Sequence, residues 1–467
     1  MSGTNFRTIS VAVFAASFTA GCSLTPDYFR PEVPVPQTYT AKSATVEPTL
    51  DPEWWRLFRN RTLTRLVTEA NVDNTDIGAA VARVRQARAS YRIARSSLFP
   101  QIDAAGDVAL THTDVKGLPS TTRTTWRAAG ALDWDLDIFG GNRAATASAL
   151  ADVAASQFDR EAVELGIQSE VATTYIALLL ARERLRISAD TITNFVDVLK
   201  IAEARFEAGA GSALDVSQQK SALATVRAAR SLLEEDVRNA ENAIAVLVAD
   251  AAGTLKLAGG GLSAMRAPTI KPGQPLALLA RRPDVRRAEA DLIAANADIG
   301  VARAALFPNL GINIDAAISS DPLTKTISIG SALLAPIFHG GRLKAGVQLS
   351  EARMAELVEA YRKTYLVALR EVEDALAAVR SARQRVAQLS TALQEARNSY
   401  RLQRIQYEAG AIDFQTLLDA QRTLFDTDDN LALARFDRLN AAVALIQALG
   451  GGWVEEQAML LNLIASG

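Results

Sequence analysis

The chain has 467 residues, 49% hydrophobic and 22% charged, with 50 basic and 52 acidic side chains. That balance leaves no basic field for nucleic acid, and 6% aromatic content is thin for a large globular core. Two histidines and one cysteine exclude a structural zinc site and an internal disulfide.

The first segment reads as a secretory signal: Arg7, an apolar run from Ile9 to Phe18, then Ala20 and Gly21 before Cys22. Two readings follow. Cys22 becomes the acylated first residue of a lipoprotein, with Thr19 where Leu is usual, or it is incidental to an ordinary signal peptide. A lipidated residue adds membrane affinity without crossing the bilayer. The stretch "PDYFRPEVPVPQ" that follows predicts an extended leader rather than folded structure.

Beyond the leader, one plan is written twice. "IARSSLFPQI" (93–102) returns as "VARAALFPNL" (301–310), "DIFGGNR" (137–143) as "PIFHGGR" (336–342), and "RFEAGA" (205–210) as "QYEAGA" (406–411). Three matches in the same order imply an internal duplication, with a period far longer than that of solenoid repeats. In each half a helix should end at Leu-Phe-Pro, because Pro disfavours helix in the residue before it. Two strands, a glycine corner and a very long helix follow; the helix breaks at Glu-Ala-Gly-Ala and another returns. Pro283 and Asp284 suit the first turn of the helix that opens the second half.

The strands have a period of two, the mark of one apolar and one polar face. Ile102, Ala104, Gly106, Val108 and Leu110 alternate with Asp103 and Asp107; Trp126, Ala128, Gly130, Leu132, Trp134, Leu136 and Ile138 alternate with Arg127, Asp133, Asp135 and Asp137. In the second half Leu310, Ile312, Ile314, Ala316 and Ile318 form one such face, and Ile327, Ile329, Leu333 and Ile337 another. A strand of about 13 residues is about 43 Å long and, tilted by about 45°, spans the roughly 30 Å of a bilayer's hydrocarbon. A small soluble sheet capped by helices is the alternative. Helices running about 100 Å away cannot also cover that face, and four strands alone leave edges that lipid does not tolerate. The sheet is expected to close with copies from other chains. Along the second long helix Met354, Val358, Tyr361, Tyr365, Leu369, Val372, Leu376 and Val379 trace a heptad-like seam.

Taken together, "GCSLTPDYFRPEVPVP", "EWWRLFRNRTLTRLV", "LARRPDVRRAEADLIAANADIGVARAALFP", "APIFHGGR" and "YEAGAIDFQTLLDAQRTL" resemble the TolC family of outer-membrane efflux ducts, in the lipoprotein branch related to NodT and OprM. The resemblance implies a mainly α fold with a membrane β-barrel: a homotrimer whose twelve-stranded barrel continues as a periplasmic α-helical coiled-coil barrel. Its implied outline is a signal peptide 1–21, a leader 22–60, a first repeat 61–249 with its hairpin near 101–138, a linker 250–276, a second repeat 277–452 with its hairpin near 309–337, and a tail 453–467. It implies a passive exit duct in the outer membrane, docked to a periplasmic membrane-fusion adaptor and an inner-membrane RND-type pump. No cofactor is implied beyond a covalent lipid on Cys22.

The same resemblance gives residues their expected roles. The tips at Gly209, Ala210, Gly410 and Ala411 would meet the adaptor. Asp419 and Arg422, with Asp215 and with Thr416 where some members have a further Asp, would sit at the closed periplasmic mouth. Trp126, Leu132, Trp134, Ile312, Ile314 and Ile329 would face lipid. His112 and His339 lack a neighbouring nucleophile or metal-ligand spacing, and Gly259 to Gly261 lacks the Lys-Ser/Thr of a phosphate loop, so no metal site or enzymatic activity is expected. The remaining rivals are a duct for secreted polypeptides or metal ions, and a periplasmic coiled-coil protein with no pore.

Overall fold

Matching element lengths reveal the duplication. In a computed structural model, which describes residues 23–36, 38–40, 51–255, 257, 259–320 and 323–452, the first half runs α1 (Arg61–Asp73), α2 (Thr75–Ser96), β1 (Gln101–Thr113), β2 (Thr121–Asp135), α3 (Gly141–Glu207) and α4 (Ala213–Leu247). The second half repeats it as α5 (Pro283–Ala304), β3 (Asn309–Ser319), β4 (Thr324–Leu334), α6 (Arg342–Glu408) and α7 (Phe414–Ala448). The long helices α3 and α6 are both 67 residues, the returning helices α4 and α7 both 35, and α2 and α5 both 22. The hairpins differ, with strands of 13 and 15 residues against 11 and 11, and the 13-residue α1 has only a four-residue helix, Leu278–Arg281, at the matching place.

The helix starts follow local chemistry. Asn60 accepts from the Leu63 amide, and Asn74 from the Asp76 and Ile77 amides, so side-chain oxygens satisfy donors that the first turn leaves free. Pro283 opens α5 and Asp284 lies in its first turn, as the sequence predicts.

Each long helix spans about 100 Å and packs beside its returning partner, α3 against α4 and α6 against α7. The short helices α2 and α5 lie along α3, and α5 also reaches α6. The buried side chains fall into separate clusters along this length. The largest joins Trp54, Phe58, Leu63, Tyr175, Ile176, Leu179 and Ile446 at mid-height. The seam read along α6 is real: Tyr361, Tyr365 and Val372 are buried beside Leu278 and Leu445.

The leader is extended, as expected, but it is docked. Asn296 donates to the Pro26 carbonyl at 2.7 Å, Arg30 pairs with the buried Glu289, and the Thr40 amide donates to Glu373 at 2.7 Å. The chain thus descends along α5 and then α6. Cys22, the signal segment and the tail after Gly452 lie outside the described residues.

The strand ends depart from expectation. Alternation predicts strand through Ile138 and Ile337, yet β2 ends at Asp135 and β4 at Leu334. After β2 the reason is Asp137, which turns out of the strand at φ 46°; after β4, Pro336 has no amide to offer a ladder. The Asp137 carboxylate accepts the Asn142 amide at 2.8 Å and the Arg143 amide at 2.9 Å, capping the start of α3. Asp137 therefore builds the corner that follows the strand. Asp135 belongs to the same corner, accepting from Asn142 Nδ2 at 3.2 Å and Asn309 Nδ2 at 3.0 Å.

Candidate functional site

Two candidate regions lie at opposite ends of the long helices. At one end the four strands form a single antiparallel sheet in chain order. Directly paired residues share a face, and the register aligns the apolar positions of all four strands. Ile102 opposes Leu132, which opposes Ile314, which opposes Ile329. Trp134 and Ile312 are neighbours on that face, and Trp126 stands on it opposite Val108. The other face aligns Asp103 with Ala131, Asp315 and Ser328, and sets Asp107 against Arg127. All six residues expected to meet lipid are thus gathered on one face of one sheet.

That apolar face is bare within one chain. Ile102 is 77% exposed, Val108 75%, Ile327 78% and Ile329 75%. β1 and β4 are the outer strands and have no partner on their far edges among the described residues. The indole of Trp134 donates to the Leu98 carbonyl at 3.2 Å, anchoring the helix end to the rim of the sheet.

At the other end, both long helices stop in the same turn. Gly209 N donates to Phe206 O and Ala210 N to Arg205 O; Gly410 N donates to Tyr407 O and Ala411 N to Gln406 O. This six-to-one closure needs a residue with left-handed backbone, and Gly209 and Gly410 supply it at φ 71° and 75°. All four tip residues named from the sequence are exposed.

The return helices begin differently. Ser212 and Asp215 cap α4 reciprocally, each side chain accepting from the other's amide. In α7 the same duty falls to Asp413, which accepts the Thr416 amide at 2.8 Å. Asp215 and Thr416 therefore occupy the same helical position, and both are tied to their caps. Asp419, one turn on, is half-exposed; it accepts from Gln415 Nε2 at 2.9 Å and lies 3.9 Å from the Arg422 guanidinium. The structure brings Asp413, Thr416, Asp419 and Arg422 onto the first turns of one helix, with Asp215 on its counterpart.

Arg205 escapes the sequence reading. Its guanidinium lies 4.7 Å from the centre of the Tyr407 ring and bonds the Tyr407 carbonyl, linking the two tips. The repeat "RFEAGA" against "QYEAGA" shows a difference at this position, but only the fold shows that it faces the other tip.

An amphipathic four-stranded sheet with open edges, continued by helices of about 100 Å, defines a subunit of an outer-membrane channel. The family described as outer membrane efflux protein matches residues 66–250 and 275–451, and the chain belongs to that family. It is 37% identical over 418 residues to the pyoverdine export outer membrane protein OpmQ of Pseudomonas aeruginosa, covering 87% of this chain and 88% of OpmQ. It is 30% identical over 469 residues to the probable outer membrane lipoprotein SilC of Salmonella typhimurium, covering 96% of this chain and all of SilC. The outer-membrane channel OprN superposes with a TM-score of 0.84 at 27% identity, covering 92% of this chain and all of OprN. The protein is accordingly the outer-membrane component of an efflux system, reaching from that membrane into the periplasm. Members of the family are transport ducts rather than enzymes.

Proposed function

We propose that three copies close their sheets edge to edge into one twelve-stranded barrel, forming a passive duct for small molecules gated at the helix tips. The observation that carries this is the sheet itself: one apolar face and two open edges, which neither water nor lipid accommodates in a single chain. On this reading Trp126, Leu132, Trp134, Ile312, Ile314 and Ile329 meet lipid. The opposite face, with Asp103, Asp107 and Asp133, lines the water-filled bore.

A lipid on Cys22 fits the course of the leader. Ser23 and Thr25 line one cavity with Gly140 and Arg143, at the corner where β2 becomes α3. A chain beginning there starts beside the membrane rim, within reach of an acyl chain. The relative named as an outer membrane lipoprotein agrees with this.

The exposed turns at Gly209, Ala210, Gly410 and Ala411 offer backbone to a periplasmic adaptor's helices, and through it to an inner-membrane pump of the RND type. Relatives that share this architecture are named for pyoverdine, antibiotics and solvents. One duct plan serving such different cargoes supports cargo choice elsewhere, in the pump.

Asp419 of each chain would approach its two counterparts across the threefold axis at the closed mouth. Two such charges about 6 Å apart repel by roughly 3 kcal/mol at an effective dielectric near 20, and Arg422 offsets this. The test is single-channel conductance in planar bilayers. The unsubstituted protein should conduct weakly, and Asp419→Ala with Arg422→Ala should raise its conductance. Unchanged conductance would remove the gate from these residues while leaving the duct, and failure to insert at all would sink the duct.

A further inference from the structure

The linker between α4 and α5 forms a charged cavity on the second pair of long helices. Its short turn Leu262–Ala264 packs on α7 and closes, with Val386 of α6, a cavity of about 510 Å³. Three arginines line that volume, Arg266 from the linker and Arg435 and Arg438 from α7. The floor is apolar and buried: Leu262 is 3% exposed, Met265 6% and Leu439 4%. None of the three guanidinium groups has a carboxylate or hydrogen-bond partner among the described residues. The carboxylate between two of them in sequence, Asp437, is held by Arg385 of α6 at 2.7 Å. Other arginines of the coil are spent in the same way, Arg184 on Asp429 and Arg397 on Asp428. The duplication shows that coil packing does not demand this trio. Helices α4 and α7 are both 35 residues, and at the places of Arg435 and Arg438 the first half has Glu234 and Val237.

We propose that this cavity is a binding site for a small organic anion, a phosphate or carboxylate attached to an apolar body. Three like charges around one volume repel, and an anion entering among them offsets that repulsion. Guanidinium forks match the paired oxygens of phosphate and carboxylate, while the apolar floor releases water against the body of the ligand. The occupant joins the linker to α7, so its binding also stabilises the assembly. All of the lining comes from one chain, so the site depends on neither the closed barrel nor the gate.

Calorimetric titration of the detergent-extracted protein decides this, with phenyl phosphate and benzoate as probes and inorganic phosphate and acetate as their bare anions. At least one aryl anion should bind, about tenfold or more tighter than its bare counterpart, because the ring is buried on the floor. Whichever aryl anion binds tighter names the group that the arginines prefer. Arg435→Glu with Arg438→Val copies the residues that α4 already carries at these places, so the coil can form, and it should weaken binding about a hundredfold. Arg266→Gln, at an exposed linker position, should weaken it about tenfold. The tighter probe should raise the dissociation temperature of the parent and leave that of the double variant where it was. No binding by either aryl anion, binding no tighter than the bare anions, or binding unchanged in both variants overturns the site. Glu455 and Glu456 follow α7 in sequence; if Glu455→Gln with Glu456→Gln tightens binding about tenfold, the chain's own carboxylates answer the arginines and an outside ligand is refuted. Conductance enters none of these readings, so a failure here leaves the duct and its gate untouched.

Discussion

Asp413 shows how much a single residue can hold at an exposed tip. Bonds from the Thr416 hydroxyl, and then from its amide, keep the Asp413 carboxyl below the usual carboxylate range. A carboxyl lowered in the folded state supports the start of α7 above its unfolded pKa, and that support is lost as pH falls through the lowered value. Amide-exchange protection at Thr416 and its neighbours should therefore drop on acidification below about pH 4. Asp413→Asn keeps a capping oxygen but cannot titrate, so its protection should stay level; an equal drop there would refute the assignment. Asp215 does the matching work on α4 from a different position, through the capping box with Ser212. The family resemblance singled out Asp215, but its cap depends on Ser212, which the sequence alone did not single out.

At the scale of one element, β2 gives the sharpest contrast, because neighbouring residues occupy opposite faces. Leu132→Cys should be shielded from a polar, membrane-impermeant thiol reagent in reconstituted protein, while Asp133→Cys should react. Equal reaction at both would contradict a lipid face. Asp133 suits this better than Asp135, whose carboxylate is already held by Asn142 and Asn309 at the corner. The long helix α6 makes a second prediction. Tyr365 is fully buried in its seam, so Tyr365→Ala should cost about 3–5 kcal/mol, as for other large aromatic truncations. A denaturation midpoint unchanged from the parent would mean that the seam does not carry the coil. Periodicity revealed both elements, since alternation and heptad spacing are local. It overran the strand ends because Leu136 and Ile138 continue the alternation although Asp137 has already turned the backbone.

For the molecule as a whole, one chain cannot complete either of its barrels. Detergent-extracted protein should have the mass of three chains plus detergent and should dissociate on heating. A stable, water-soluble monomer would return the sheet to an ordinary soluble role. The same preparation settles the anchor: the mature N-terminus should begin at Cys22 with the mass of attached acyl groups.

The sequence by itself determined the duplication, because short motifs recur in the same order, and the four alternating strands, the two tips and the long apolar seam, because each of these rests on spacing within a few turns of chain. It also carried enough family-specific stretches to name the class of protein. Only the tertiary structure aligned Ile102, Leu132, Ile314 and Ile329 across four strands, docked the proline-rich leader along α5 and α6, and laid Arg205 over Tyr407. Those contacts join residues far apart in the chain, and their energetics depend on register and on which helices lie side by side. Nothing local in the sequence encodes that choice.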